Sequence, residues 1–264
     1  PRHAAAVGTR AHDGAMTTYR DTEDFVGATF VDASFRGARM READLRGLTV
    51  RSSLLDGLDV DSHDLSFGTL VVNGVDVVPL VEAELDRRFP GRALSRSTTP
   101  EGLREGWVAV QAAWRSTTEG TPRERWDDHV EDEWSLAQTL RHLVLATDCW
   151  LRGAIQRHEQ PFHEIGQVFT GAEEMGFDTS IFRDEPPSHD EVLAVRAERQ
   201  QMVTDFLATV TPELLAEERS DPWGGGGDGA GDAWRPTVGD CLRTILEEEW
   251  AHLRYVRRDL ALLG

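Results

Sequence analysis

The chain has no lysine; all 28 of its fixed cations are arginine. That bias points to a GC-rich coding genome and carries no information about fold. Cations are also few beside 47 acidic residues, and the formal net charge is −19. Phosphate-backbone binding needs clustered Lys and Arg, so nucleic acid is not an expected partner. The acid is uneven: residues 16–99 carry a net −4 and residues 100–264 a net −16. Cysteine is nearly absent. Cys149 and Cys241 lie far apart, which excludes a disulfide framework and sets a reduced, cytoplasmic compartment as the expectation. No apolar run reaches the roughly 18–20 residues that span a bilayer, so no membrane is expected as partner. Residues 1–15 lack an apolar signal core. Residues 1–20 are expected to be a disordered leader, with Met16 the expected initiator.

What the chain does have is a period of five. From Phe25 a large apolar residue recurs at Phe30, Phe35, Met40, Leu45, Val50, Leu55, Val60, Leu65, Leu70 and Val75. Two places before each sits a mostly small residue: Ala28, Ala33, Ala38 and Ala43, then bulkier ones, with His63 among them in a structural role. Five is neither the helical 3.6 nor the strand 2, so the segment reads as a solenoid with one pentapeptide per face. The pattern stops near Pro79. Residues 79–98 read as a capping helix, PLVEAELDRRF, and a linker, because solenoid ends expose apolar surface and unpaired edges.

After residue 99 the periodicity is helical. Thr99-Pro100 is an N-cap followed by proline, and Leu103, Trp107, Val110 and Trp114 follow at helical spacing. A second helix is predicted from Ser135 to about Arg157, apolar on more than one side and therefore central. Ser188-x-x-Glu191 starts a third, to about Val210, and Thr237-x-x-Asp240 a fourth, to about Leu263. The glycine-rich run between Pro222 and Pro236 has no phosphate-loop pattern and reads as a loop. Four helices with long connections predict a four-helix bundle over 99–264.

Three residues stand out for chemistry. Glu248 and His252 are four apart on the last helix and share a face. A carboxylate and an imidazole both suit a divalent transition metal, although a surface pair at this spacing is common. His142 lies mid-way along the apolar second helix, with small residues beside it. It needs a partner, which is either a metal or a backbone carbonyl or carboxylate. If helices two and four are neighbours, the three side chains would leave an open coordination position, the pattern of a catalytic site. His129, His158 and His163 read as solvated loop residues. Cys149 and Cys241 sit two turns from the nearest of the three residues and read as buried, inert thiols.

The units TFVDA, SFRGA and RMREA resemble the pentapeptide-repeat family. That resemblance implies a right-handed quadrilateral β-helix over 21–78, just under three coils. EWSLAQTLRHLVLATDCWL and ILEEEWAHLRYV resemble the second and last helices of the DinB superfamily, four-helix bundles that bind a divalent metal through three side chains. The resemblance implies His142, Glu248 and His252 as metal ligands. Glu248 stands where many members have histidine, and this departure resembles the mycothiol-dependent maleylpyruvate isomerase and thiol S-transferase branch. From that branch follow Zn²⁺ (Ni²⁺, Fe²⁺ or Mn²⁺ being alternatives), mycothiol as co-substrate, a small electrophilic substrate and an actinobacterial source. Two further readings stay open: a non-catalytic metal-binding or regulatory module, and a DNA mimic acting on a topoisomerase. The short repeat and its net −4 argue against the last. A homodimer through the repeat is a further expectation.

Overall fold

A computed structural model describes residues 18–19, 22–41, 43–62, 65–169, 172–173, 177–220 and 235–264. The expected leader (but for residues 18 and 19), His63 and nearly all of the glycine-rich run lie outside them. The chain forms two compact units, Pro1–Asp59 and Val60–Gly264.

In the first unit the period of five is written into the backbone. Gly27, Gly37, Gly47 and Gly57 take φ of 70°, 73°, 75° and 77°, and Asp32 and Ser52 between them take 53° and 52°. The four glycines are third residues of β-turns. Ala28 N–H donates to Phe25 O (3.0 Å), Ala38 to Phe35 (2.9 Å), Leu48 to Leu45 (3.0 Å) and Leu58 to Leu55 (3.0 Å). A positive φ at that place defines a type II turn, which glycine fills without steric cost. The apolar row lies to one side: Phe30 touches both Phe25 (ring centroids 5.9 Å) and Phe35 (5.1 Å). From Phe25 to Leu55 every member of the row is between 46% and 56% exposed. No strand forms among the described residues of this unit, so the quadrilateral β-helix is not seen. Its coils need bonds between residues of successive turns of the solenoid, and the backbone bonds found here are the local ones of the turns.

In the second unit the described residues of 60–78 are not a continuation of the turn series. Leu65–Phe67 is a 3-10 turn, and β1 (Val71–Val72) pairs antiparallel with β2 (Val75–Asp76) across Asn73-Gly74. Both turn residues have positive φ, 51° and 83°, as an Asn-Gly hairpin requires. Asp61 accepts from Arg254 (2.8 Å) and Arg258 (2.9 Å). α1 (Val78–Arg88) opens on Pro79. Its Glu82 and Asp86 bind Arg92 (2.9 and 2.7 Å) and Arg96, fixing the following 3-10 segment Arg92–Arg96.

The bundle consists of α2 (Pro100–Gly120), α3 (Leu136–Thr147), α4 (His189–Thr209) and α6 (Val238–Leu263), with the single turn α5 (Pro212–Leu215) before the last. Thr99, Ser135, Ser188 and Thr237 each cap a helix by accepting a backbone N–H three residues on. At Ser135–Gln138 and Thr237–Asp240 the capping box is reciprocal. Such a cap contributes on the order of 1 kcal/mol. α2 and α3 each pack on both α4 and α6, so α4 and α6 face each other diagonally. The core contains Leu103, Trp107 and Trp114 of α2, Leu140 and Leu143 of α3, Val192 and Val203 of α4, and Leu242, Ile245, Leu246 and Leu253 of α6. Each large side chain of this kind contributes about 1.5–3 kcal/mol on burial.

Within the bundle one helix differs from expectation. The second helix is α-helical only to Thr147 and continues as a π-helix over Asp148–Ile155. Gln156 N–H reaches back five residues to Leu151 O (2.9 Å), and Arg157 ends the segment at φ 61°. The wider turn shifts the faces of the residues after Thr147 away from an α-helical register. Asp148, fully buried, accepts from Arg199 Nε of α4 (2.5 Å) and from the backbone N–H of His163 (2.8 Å). No helix of the described residues is long and apolar enough to cross a membrane.

Candidate metal centre

Because α3 packs on α6, His142 meets Glu248 and His252. His142 Nε2 lies 3.5 Å from Glu248 Oε2, and the two imidazole centroids are 4.6 Å apart. One donor atom from each residue can be chosen so that all three lie within 4.8 Å of one another, which one ion could bridge. His142 is buried, and Glu248 and His252 are partly so.

Both imidazoles are oriented by backbone carbonyls. His142 Nδ1 is 3.1 Å from the carbonyl of Gln167, and His252 Nδ1 is 2.9 Å from the carbonyl of Glu248, one turn back on its own helix. A carbonyl only accepts, so each Nδ1 carries the proton and each Nε2 keeps its lone pair. Burial, then the neighbouring His142, lower the pKa of His252 from 6.5 to about 4, against the pull of the Glu248 carboxylate. His252 is therefore neutral at neutral pH, the form that ligates a metal. The donor set of two nitrogens and one carboxylate oxygen fits a divalent transition metal with a position left open.

Aromatic rings enclose the cluster. Trp134, just before the cap of α3, stacks on His252 (centroids 6.1 Å, 16° between planes) and tilts over His142 at 4.7 Å. Tyr255 sets its ring at right angles to His252 at 5.5 Å. Burial raises the Tyr255 pKa, so its hydroxyl stays protonated and able to donate.

Behind Glu248 lies a charged pair that the sequence reading passed over. Glu249 is 1% exposed and takes both its carboxylate oxygens to Arg196 Nη2 of α4, across the bundle diagonal. Burial pushes the Glu249 carboxyl up, and Arg196 pulls it back. The signal was present: Glu249 falls in phase with Ile245, Leu246 and Leu253, at a place where the helix is otherwise apolar. Among the described residues the other histidines are not drawn in. His129 and His158 are exposed, and His163 lies in the loop whose N–H binds Asp148. Cys149 and Cys241 are fully buried and form no disulfide, and burial pushes the Cys241 thiol up to about 12.

Fold and site together define a four-helix bundle with an inward-facing His-Glu-His centre. The family model of the DinB superfamily matches residues 107–256, more than half of the chain, and the chain belongs to that superfamily. A family model described as pentapeptide repeats (8 copies) matches residues 24–56, so the chain joins a pentapeptide-repeat segment to a DinB domain. No curated protein and no solved structure matches the chain.

Proposed function

We propose that the DinB domain holds one divalent metal, with Zn²⁺ as first choice, through His142, Glu248 and His252, and that it serves a thiol-dependent S-transfer or isomerisation with mycothiol as the thiol. The observation that carries the metal part is the preparation of both histidines. Each has its Nδ1 proton held by a carbonyl, which leaves its Nε2 lone pair to ligate, and the Nε2 of His142 lies 3.5 Å from the Glu248 carboxylate. A divalent metal, when bound, supplies a Lewis acid that lowers the pKa of a thiol or water at its open position. The side chains of the protein do the rest. Gln167 O fixes the plane of His142, Trp134 keeps water from one side of both imidazoles, and Tyr255 offers a hydrogen-bond donor beside His252. The reaction forms a carbon–sulfur bond to a small electrophile. The thiol proton leaves to solvent or to the departing group, and in an isomerisation the thiol is expelled again.

The finer architectural expectations belong to the same proposal. The half-exposed apolar row from Phe25 to Leu55 supports coil-on-coil stacking of the turn series as a quadrilateral β-helix, or pairing with a second copy, while the expected extension to residue 78 meets a 3-10 turn and a hairpin. The limits 79–98 and 99–264 for linker and bundle, and a cytoplasmic site of action, are proposed with it.

The test is consumption of mycothiol with a small electrophile by metal-loaded protein. Turnover that disappears on chelation and returns with Zn²⁺ is the expected result. Metal uptake without thiol turnover would favour the non-catalytic binding module instead.

A further inference from the structure

The loop after the π-helix runs beside the second helix as a strap tied at alternate residues. Arg152 binds the Pro161 carbonyl, Asp148 accepts the His163 N–H (2.8 Å), Arg141 Nε donates to Ile165 O (2.8 Å) and His142 Nδ1 to Gln167 O (3.1 Å). The strap borders a groove of about 610 Å³, lined among others by Gln138, Arg141, Gln167, Phe169, Phe182 and Arg183. Neither composition nor motif marks this groove, and the His-Glu-His centre does not use it.

Its two arginines differ. Arg183 is compensated, 2.7 Å from Glu191 and 3.6 Å from Glu164. Arg141 is half-buried and, among the described residues, forms no ion pair and has only its Nε engaged. Glu173 and Asp184 also border the groove, and Glu173 accepts from the Thr179 hydroxyl (2.5 Å). An anion would supply the partner that the two Nη groups of Arg141 lack among the described residues.

The groove also has an aromatic side. Phe182 stacks on Phe177 (5.9 Å, 10° between planes), which is edge-on to Phe162 at 4.9 Å. Phe182 presses on the strap so closely that a Cβ at Gly166 would come within 2.7 Å of its ring. A held ring beside a guanidinium fork whose Nη groups have no partner among the described residues selects a flat molecule with a carboxylate at one end.

We propose that this groove is a binding site for an aryl carboxylate, with the carboxylate on the two Nη groups of Arg141 and the ring against Phe169 and Phe182. The volume suits a compound of one or two fused rings. The occupant lies against Gln167, whose carbonyl orients His142, so the site adjoins the metal centre without being part of it. The proposal does not depend on thiol chemistry.

The test is calorimetric titration of the full chain with 2-naphthoate and its uncharged isostere 2-naphthamide, on protein as purified and after chelation. Naphthoate should bind about 10-fold or more tightly than naphthamide, with and without metal. Arg141→Met should remove that preference and leave naphthamide binding unchanged, and Phe182→Ala should weaken both. Equal binding of the two compounds to wild-type protein overturns the proposal whether or not the variants fold. So does naphthoate binding that vanishes on chelation, which would put the carboxylate on the metal, or no saturable binding up to about 10 mM. None of these results touches the thiol reaction, which is measured separately.

Discussion

The repeat and the bundle hold their conformations by opposite means. In the repeat the order is local. A glycine or a short polar residue with positive φ recurs every five residues where described, and each i to i+3 hydrogen bond closes within its own pentapeptide boundary region. The apolar row beside these turns is half exposed. In the bundle the order is long-range. Leu103, Leu143, Val192 and Leu253 come from four different helices and are all essentially inaccessible. The loudest sequence pattern thus belongs to the unit with the least buried surface, while the quieter pattern belongs to the unit with a core. A short period specifies turns; a core needs faces that meet.

The largest expected effects test the core side of that contrast. Arg196→Met leaves Glu249 buried without its cation and should cost about 3–5 kcal/mol in denaturant unfolding. The double substitution Arg196→Met with Glu249→Leu should recover most of the loss. Trp114→Ala, which removes a buried ring and its bond to Glu249 O, should cost about 3–5 kcal/mol as well. Phe30→Ala in the repeat should cost only about 1 kcal/mol, in proportion to its half burial. An equal loss at Phe30 and Trp114 would break the comparison, because it would mean that the apolar row is buried in solution.

A smaller effect depends on pH. The His252 pKa is about 4 in the folded, metal-free protein against 6.5 unperturbed. Between these values the unfolded chain binds more protons, so stability falls as pH drops from 6.5 through 4, with no contribution from this group above 6.5. The full penalty is on the order of 3 kcal/mol. Unfolding of chelated wild-type protein across this range should show a steeper pH slope than His252→Ala. Parallel slopes would mean that the imidazole is solvated.

Smaller again, Gly47→Ala should cost the repeat about 1–2 kcal/mol, because alanine resists a φ of 75°. No loss would mean that the type II turn is not kept in solution. Cys149 and Cys241 should stay unreactive toward a thiol reagent until the bundle unfolds, and rapid labelling of the folded protein would contradict their burial.

Much of the bundle was legible because helix starts are local chemistry. Thr99, Ser135, Ser188 and Thr237 are caps in the sequence and caps in the structure. His142, Glu248 and His252 were legible as three residues, and α3 packing on α6 brings them together. What escaped is what long-range packing decides. Nothing in the residues at 148–155 announces a π-helix, and Asp148 becomes a buried acceptor only because Arg199 of α4 reaches it. The carbonyl that orients His142 belongs to Gln167, 25 residues on, and backbone atoms carry no sequence label. Trp134 stood in the sequence as part of a helix start, while its stacking on His252 depends on where α6 lies.

The most direct test of the central claim is elemental analysis of the purified protein and of His142→Ala, Glu248→Ala and His252→Ala, with folding checked by circular dichroism. The account predicts about one divalent metal per wild-type chain, lost or weakened by about 10-fold or more in each folded variant. Unchanged metal content in the three variants, or no uptake by the wild-type protein in excess Zn²⁺, would contradict it.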